Sequence, residues 1–378
     1  MEKIHDDSWV YGKYSTGSGS ILIDDSTEDL FNIDSIKAYE DEIKKNLYKM
    51  KVSINSLKDM YILNIGTGRE AIAFSNLGAK KVTHFDYSFL NVERMKKFIQ
   101  KNNLKNIIET KNVDIVDYKL PPLSFDLVYT HGVVQHFSHP GKGLKNLINS
   151  MKKNGLIWLY FYRSGTFQHF CFEMIRDLIQ DTKNPEVYYL SMSLINCEKK
   201  DSNLFISGFM DNCFPGHANL YTPDTYISFV KECGLKIISS SKLDPINTSI
   251  DHRFAHPSTI ITCRRESVED LRVDIDVLSK NQSINQLNED YYRDYVYFKT
   301  IVELIRQYKR VKRLLYQKRN NSTIVFALAY KIYSIERESY FNYLSNNEYN
   351  LNKYYSMLRE TLNDLEKNVN NYGSGQMN

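Results

Sequence analysis

The sequence predicts an α/β fold: a seven-stranded, mostly parallel sheet followed by a helical C-terminal region. Three observations lead there. Short apolar runs alternate with helical patterns after about residue 56, the order of a parallel sheet with crossover helices. A glycine-rich turn joins the first of those runs to a helix. From about residue 266 the apolar residues recur instead at three- and four-residue spacing, which is helical throughout.

Taken in order, residues 1–33 are a Gly/Ser-rich lead-in (Thr16-Gly17-Ser18-Gly19-Ser20), a candidate active-site lid. A charged helix follows over about 34–56. Strands are expected at Tyr61–Ile65, Lys81–Phe85, Ile107–Asn112, Leu127–Thr130 and Leu156–Tyr162, with helices at about 69–78, 90–102 and 141–153 between them. Residues 164–222 read as an insertion with helical pieces. Thr222-Pro223-Asp224 then starts a helix, with Thr222 a good N-cap and Pro223 at its first position. Two β-like runs, Lys236–Ser240 and Ser258–Cys263, bring the strands to seven. The first domain is therefore expected over 34–265, and a chain of 378 residues has room for a second.

That second domain is a helical unit over 266–369, with a disordered tail at 370–378. Tyr291, Tyr295, Phe298, Val302, Ile305, Tyr308, Val311 and Leu315 make one apolar face. A second helix spans about 323–344. Leu351, Tyr355, Leu358, Leu362, Leu365 and Val369 form a heptad-like seam on a third, from which a homodimer is expected. The basic run Lys299, Arg306, Lys309, Arg310, Lys312, Arg313, Lys318 and Arg319 reads as the solvated face of its helix rather than as a site for an anionic partner.

Bulk composition excludes several classes. A net charge of +4 is too small for the basic footprint of a dedicated nucleic-acid binder. Cys171, Cys197, Cys213, Cys233 and Cys263 contain no CxxC pair, which argues against a disulfide framework or zinc site, so no metal is expected. Met1–Val10 is polar and does not resemble a secretory signal. The longest apolar runs, Leu156–Tyr162 and Ile324–Tyr330, fall well short of the ~20 residues of a membrane helix, and a cytoplasmic protein is expected.

The chemistry centres on Tyr61-Ile62-Leu63-Asn64-Ile65 running into Gly66-Thr67-Gly68-Arg69-Glu70-Ala71. The first glycine supplies a tight turn, and the second lets a ligand approach the backbone. Gly66-x-Gly68-x-x-Ala71 also satisfies a dinucleotide fingerprint, so an NAD-dependent oxidoreductase stays open at this point. Asp86 ends the second strand, where a carboxylate accepts ribose hydroxyls, and suits either cofactor. Asp114 follows the third strand, and Leu120-Pro121-Pro122-Leu123-Ser124-Phe125-Asp126-Leu127-Val128-Tyr129 leads into the fourth.

With these motifs in this order, the sequence resembles the class I S-adenosylmethionine-dependent methyltransferase superfamily, especially its ubiquinone/menaquinone-biosynthesis type, over about 58–163 and again at 219–240. The resemblance implies a Rossmann-like methyltransferase sheet that a β-hairpin completes, with S-adenosyl-L-methionine as cofactor. It implies that Gly66, Thr67 and Gly68 line the methionine and ribose portion, that Asp86 binds the ribose diol with Tyr87 beside the adenine, that Asp114 meets the adenine amino group, that Ile115 forms an apolar wall and that His131 lies under the methionine arm. The family usually has an acidic residue where Asn64 stands and a third glycine where Glu70 stands. Asn64 can still reach the cofactor's amino group through water, without a charge. A scaffold that binds cofactor without turnover is therefore a further alternative.

On the acceptor side His136, just past the fourth strand, is the candidate general base, because imidazole titrates near neutrality. Alternation sends Tyr160 and Tyr162 the same way, and Arg163 is placed to clamp an anionic acceptor. Asp211 and His217, in a polar aromatic segment before Tyr221, are the other candidates for binding or deprotonating the acceptor. The expected acceptor is a small or medium molecule, methylated at oxygen on a sugar or lipid-like intermediate.

Overall fold

Alternation along the strands decides which helices they bury. In β1 (Tyr61–Ile65), Ile62 packs on one face of the sheet and Leu63 and Ile65 on the other. The same split recurs in β5 (Met151–Tyr162): Leu156 and Trp158 go one way, Ile157, Leu159 and Phe161 the other. Both faces are apolar, as a parallel sheet covered by helices on two sides requires.

The structure, a computed structural model, describes residues 31, 33–162, 164, 166–179, 209, 213, 219–240, 258–268, 273–278, 298–317, 322–345 and 350–374. The lead-in before residue 31 and most of the insertion lie outside them. The remaining strands are β2 (Lys81–Asp86), β3 (Ile108–Asn112), β4 (Phe125–His131), β6 (Leu235–Ser240) and β7 (Ser258–Arg265). They form one seven-stranded sheet in the order β3-β2-β1-β4-β5-β7-β6. Strands β1 to β5 run parallel, and β7 is antiparallel to both β5 and β6. This is the architecture expected from the sequence.

Helices α1 (Ile33–Lys49), α2 (Arg69–Asn76) and α3 (Phe89–Lys101) share a core with one face of the sheet. Helices α4 (Pro140–Ser150) and α6 (Pro223–Glu232) cover the other, together with the short turn Ile275–Leu278. Helix α1 ends earlier than the sequence suggested, at Lys49, and a separate 3-10 turn occupies Ile54–Asp59. Its Asn46 donates to the Tyr129 hydroxyl at 2.9 Å, tying the helix to β4. Thr222 caps α6 as expected, accepting from Thr225 N at 3.3 Å. His139 plays the same part for α4, where its Nδ1 accepts from Lys142 N.

Helix α4 stops at Ser150 because β5 begins at once, with Met151 paired to Phe125. The end is held from below. The buried Arg265 of β7 aims one guanidinium nitrogen at the carbonyls of Ile148, Asn149 and Met151, at 2.8, 3.1 and 2.9 Å. A cation there suits the exposed carbonyls of a helix C-terminus.

The helical unit contains α7 (Phe298–Gln317), α8 (Ser322–Ser345) and α9 (Leu351–Ser374). Helix α9 runs on past residue 369, so residues 370–374 are helical rather than a tail. Its seam residues Leu351, Tyr355, Leu358 and Leu362 are buried within the chain, in one cluster with α7, α8 and α5 (Phe167–Ile179). Helix α5 comes from the insertion after β5, so the packing crosses the sequence boundary drawn at 265. The Lys312 Nζ meets Asp177 Oδ2 of α5 at 2.8 Å, and Tyr308 donates to the same oxygen at 2.7 Å. Residues 273–278 cross it the other way, since Leu278 belongs to the sheet core. Of the basic run, Lys299, Arg306, Lys309, Arg310 and Arg313 are exposed, while Lys318 and Arg319 lie outside the described residues.

Among the described residues, no helix is long and apolar enough to cross a membrane, and no group of three or more His, Cys, Asp or Glu is placed to hold a metal. The described cysteines Cys171, Cys213, Cys233 and Cys263 are buried free thiols.

Candidate active site

A cavity of about 330 Å³ opens at the C-terminal ends of β1, β2, β4 and β5. Open α/β sheets bind ligands there, where the strand order reverses between β1 and β4. Its floor is the turn after β1. Gly68 sits at φ +94°, a left-handed conformation, and a Cβ on it would lie 3.1 Å from Met95 Sδ and 3.4 Å from the His84 ring. Only glycine fits.

His84 pins this turn, a role that sequence reading missed. It is fully buried, and its Nε2 lies 2.6 Å from the Gly66 carbonyl, so that nitrogen carries the proton. Its Nδ1 then accepts from the Thr110 hydroxyl at 2.7 Å. Burial pushes the His84 pKa down to about 4, against the pull of the Gly66 hydrogen bond, so the ring is neutral.

At the β2–β3 end, Asp86 is buried and its two oxygens accept from Ser88 N at 2.7 Å and Asn91 Nδ2 at 3.0 Å. Burial pushes its pKa up to about 7 despite both hydrogen bonds. Each oxygen keeps a lone pair for a hydroxyl donor. Asn112 donates to the carbonyls of Asp86 and Tyr87 and so fixes the loop beneath. Asp114 Oδ1 accepts from Val116 N at 2.8 Å, and Val113, Ile115 and the exposed Tyr87 complete this end.

At the β4–β5 end, His131 Nδ1 lies 3.1 Å from Glu70 Oε1. Burial works against the charged Glu70 carboxyl, but His131, with Arg69, holds its pKa below the ordinary range. Burial works likewise against the His131 cation, and Glu70 raises its pKa on balance. Tyr160 meets the His131 ring edge-on with centroids 4.5 Å apart, and Tyr39 of α1 does so at 6.1 Å. Arg69 stacks over Tyr39, and His136, Phe137 and Tyr162 finish the wall.

The structure thus brings Gly66, Thr67, Asp86, Tyr87, Asp114, Ile115, His131, His136 and Tyr162 to one cavity. Gly68 underlies it. Asn64 does not line it: the side chain is buried, with Nδ2 directed 3.4 Å from the Tyr129 carbonyl. Arg163, Asp211 and His217 lie outside the described residues. Sequence reading missed Tyr39 altogether, and treated Glu70 only as a departure from a pattern. Their signals are weak, because Tyr39 sits on a helix remote in sequence and Glu70 resembles any first-turn helix carboxylate.

Two readings of the glycine turn were open, and the sheet separates them. A dinucleotide-binding sheet in its common form has the order 3-2-1-4-5-6. Here β7 is inserted antiparallel between β5 and β6. Residues 63–159 match the family model described as a methyltransferase domain. The chain carries a class I methyltransferase domain. S-adenosylmethionine is the cofactor of such domains. Among solved structures, the chain is similar to a putative methyltransferase from Bacillus halodurans (14% identity, 55% of this chain and 93% of that one, TM-score 0.35). It is also similar to a putative S-adenosylmethionine-dependent methyltransferase from Listeria monocytogenes (18% identity, 61% and 100%, TM-score 0.39) and to the cyclase SpnF (12% identity, 55% and 74%, TM-score 0.36). The family match and the chain's own site identify the domain, not these distant likenesses.

Proposed function

We propose that the protein transfers a methyl group from S-adenosylmethionine to a hydroxyl of a small or medium acceptor, of the sugar or lipid-like kind. One observation carries this reading: a single cavity holds Asp86 and Asp114 at one end, the glycine turn beneath and the Glu70–His131 pair at the other. Asp86 would accept from the ribose hydroxyls, and Tyr87, Asp114 and Ile115 would take the adenine. Gly66 and Thr67 would pass the chain of the cofactor towards His131. The cofactor supplies an electrophilic methyl group on a sulfonium, so the protein's work is mainly positioning.

His136, Tyr160 and Tyr162 form the part of the wall left for an acceptor. His136 would take the hydroxyl proton, with Asp211 and His217 as the competing candidates. The apolar seam of α9 is covered within the chain, so a homodimer would have to use another face.

The test is transfer of labelled methyl from the cofactor to fractionated cell extract. His136→Ala should bind cofactor as the wild type does and transfer about 10²–10⁴-fold more slowly. Transfer at the wild-type rate removes His136 as the base. Tight cofactor binding with no labelled product in any fraction favours the non-catalytic scaffold.

A further inference from the structure

The cavity contains three carboxylates, and two are spoken for. Asp86 and Asp114 stand at the β2–β3 end and accept from Ser88, Asn91 and Val116. The third, Glu70, stands at the opposite end, in the first turn of α2. Its side chain is only 4% exposed, and Oε1 is 3.1 Å from His131 Nδ1. Oε2 is buried and has no hydrogen-bond partner among the described residues. A carboxylate at a helix N-terminus is favoured by the dipole, which explains a surface Glu there but not a buried one with an idle oxygen. Glu70 lines the cavity, so this buried, idle oxygen is the acceptor that a ligand donor there would satisfy.

The position says which donor. If the ribose lies on Asp86, the amino-acid end of S-adenosylmethionine runs past the glycine turn towards β4, to Glu70. That end carries an ammonium with three N–H groups. No other carboxylate lines the cavity there among the described residues, and Asn64 is uncharged and directed at Tyr129. We propose that Glu70 binds the cofactor's ammonium through Oε2, with His131 holding the carboxylate in place from Oε1. This rests on the methyltransferase reading above and assigns its anionic anchor to the helix rather than to the end of β1. Charge-assisted hydrogen bonds of this kind are short and strong, and the enclosed site keeps competing water away.

Calorimetry on the full chain tests it with three ligands: S-adenosylmethionine, S-adenosylhomocysteine and the homocysteine compound with its amino group replaced by hydrogen. Wild type should prefer S-adenosylhomocysteine to its deamino analogue by about 10–100-fold. Glu70→Gln, isosteric and uncharged, should remove most of that preference while binding the analogue as the wild type does. Glu70→Asp keeps the charge and should lie between the two. A Glu70→Gln protein that weakens on all three ligands alike makes Glu70 a structural residue and overturns the proposal. So does one that loses affinity for the sulfonium ligand alone, since the carboxylate would then face the sulfur. If Glu70→Gln does not fold, a Glu70→Asp protein with the full wild-type preference overturns it as well, because the shorter side chain withdraws the oxygen. Wild type that binds none of the three sinks the cofactor reading itself; wild type that binds with no amino-group preference sinks only the role of Glu70.

Discussion

Cofactor affinity should depend on pH through Asp86. Burial pushes this carboxyl from its ordinary 3.8 up to about 7, yet the ribose hydroxyls need it ionised. Only the ionised fraction is competent, so apparent affinity falls by that fraction. With a pKa of about 7, roughly one molecule in ten is competent at pH 6 and nearly all at pH 8, so the Kd for S-adenosylhomocysteine should tighten about tenfold across that window. Stability of the unliganded protein moves the other way. The folded pKa lies above the unfolded one, so between about pH 4 and 7 the folded chain holds a proton that the unfolded chain has released. Stability is therefore lost as pH rises through that window, by about 4 kcal/mol in all at about 1.4 kcal/mol per pKa unit. Titration calorimetry and thermal melts at pH 5.5, 6.5, 7.5 and 8.5 measure both slopes. Asp86→Asn should bind weakly, with a flat affinity profile, and lose that stability slope. An Asp86→Asn protein that keeps the whole tenfold binding slope refutes the reasoning and moves the titration to another group, with His131 the first to examine.

Gly68→Ala should drive the turn out of shape, because φ is +94° and the new Cβ meets Met95 and His84; a loss of about 1–3 kcal/mol with undetectable cofactor binding is expected by melting and calorimetry. Arg265→Met should cost about 2–3 kcal/mol in urea denaturation, since it removes the cation from three carbonyls at the end of α4. Asp177→Ala should cost about 2–4 kcal/mol, because Lys312, with its side chain 17% exposed, loses the carboxylate while keeping the Asp177 carbonyl, and the Tyr308 hydrogen bond goes with it; an unchanged urea midpoint would show the pair to be dispensable.

The sheet was legible because its signals are local. Apolar runs of five to seven residues, broken by glycine and capped helices, place β1 and β2 within a residue of where they stand. Thr222-Pro223 fixes the start of α6 for the same reason. The cavity was half legible. Asp86 could be found because it ends a parallel strand, and Asp114 because it follows the adjacent one, where ligands bind. The aim of a side chain is another matter. Asn64 alternates with Leu63 and Ile65 and so belongs with the face of Ile62, a consequence that a motif-based alignment passes over. Tyr39 reaches the cavity only through the packing of α1, which no spacing in the sequence encodes. The seam on α9 was read correctly as a buried surface, but hydrophobic periodicity does not say whether the partner is a second chain or an earlier segment of the same one.

That earlier segment is α5, and its placement has a consequence for how the molecule is made. The helical unit is discontinuous: Phe167–Ile179 emerges from the ribosome long before Phe298–Ser374, and beyond Phe209 and Cys213 its apolar face must wait more than a hundred residues for the cover those helices give. During synthesis the nascent sheet therefore carries a helix that lacks most of this cover, a stretch open to chaperone capture or aggregation. A chain cut near residue 265 would keep every strand and still be sticky, because the cut removes the cover and leaves the helix. The last helices thus serve the first domain as a late-arriving lid on its own folding hazard, and a soluble minimal fragment requires deleting α5 together with them.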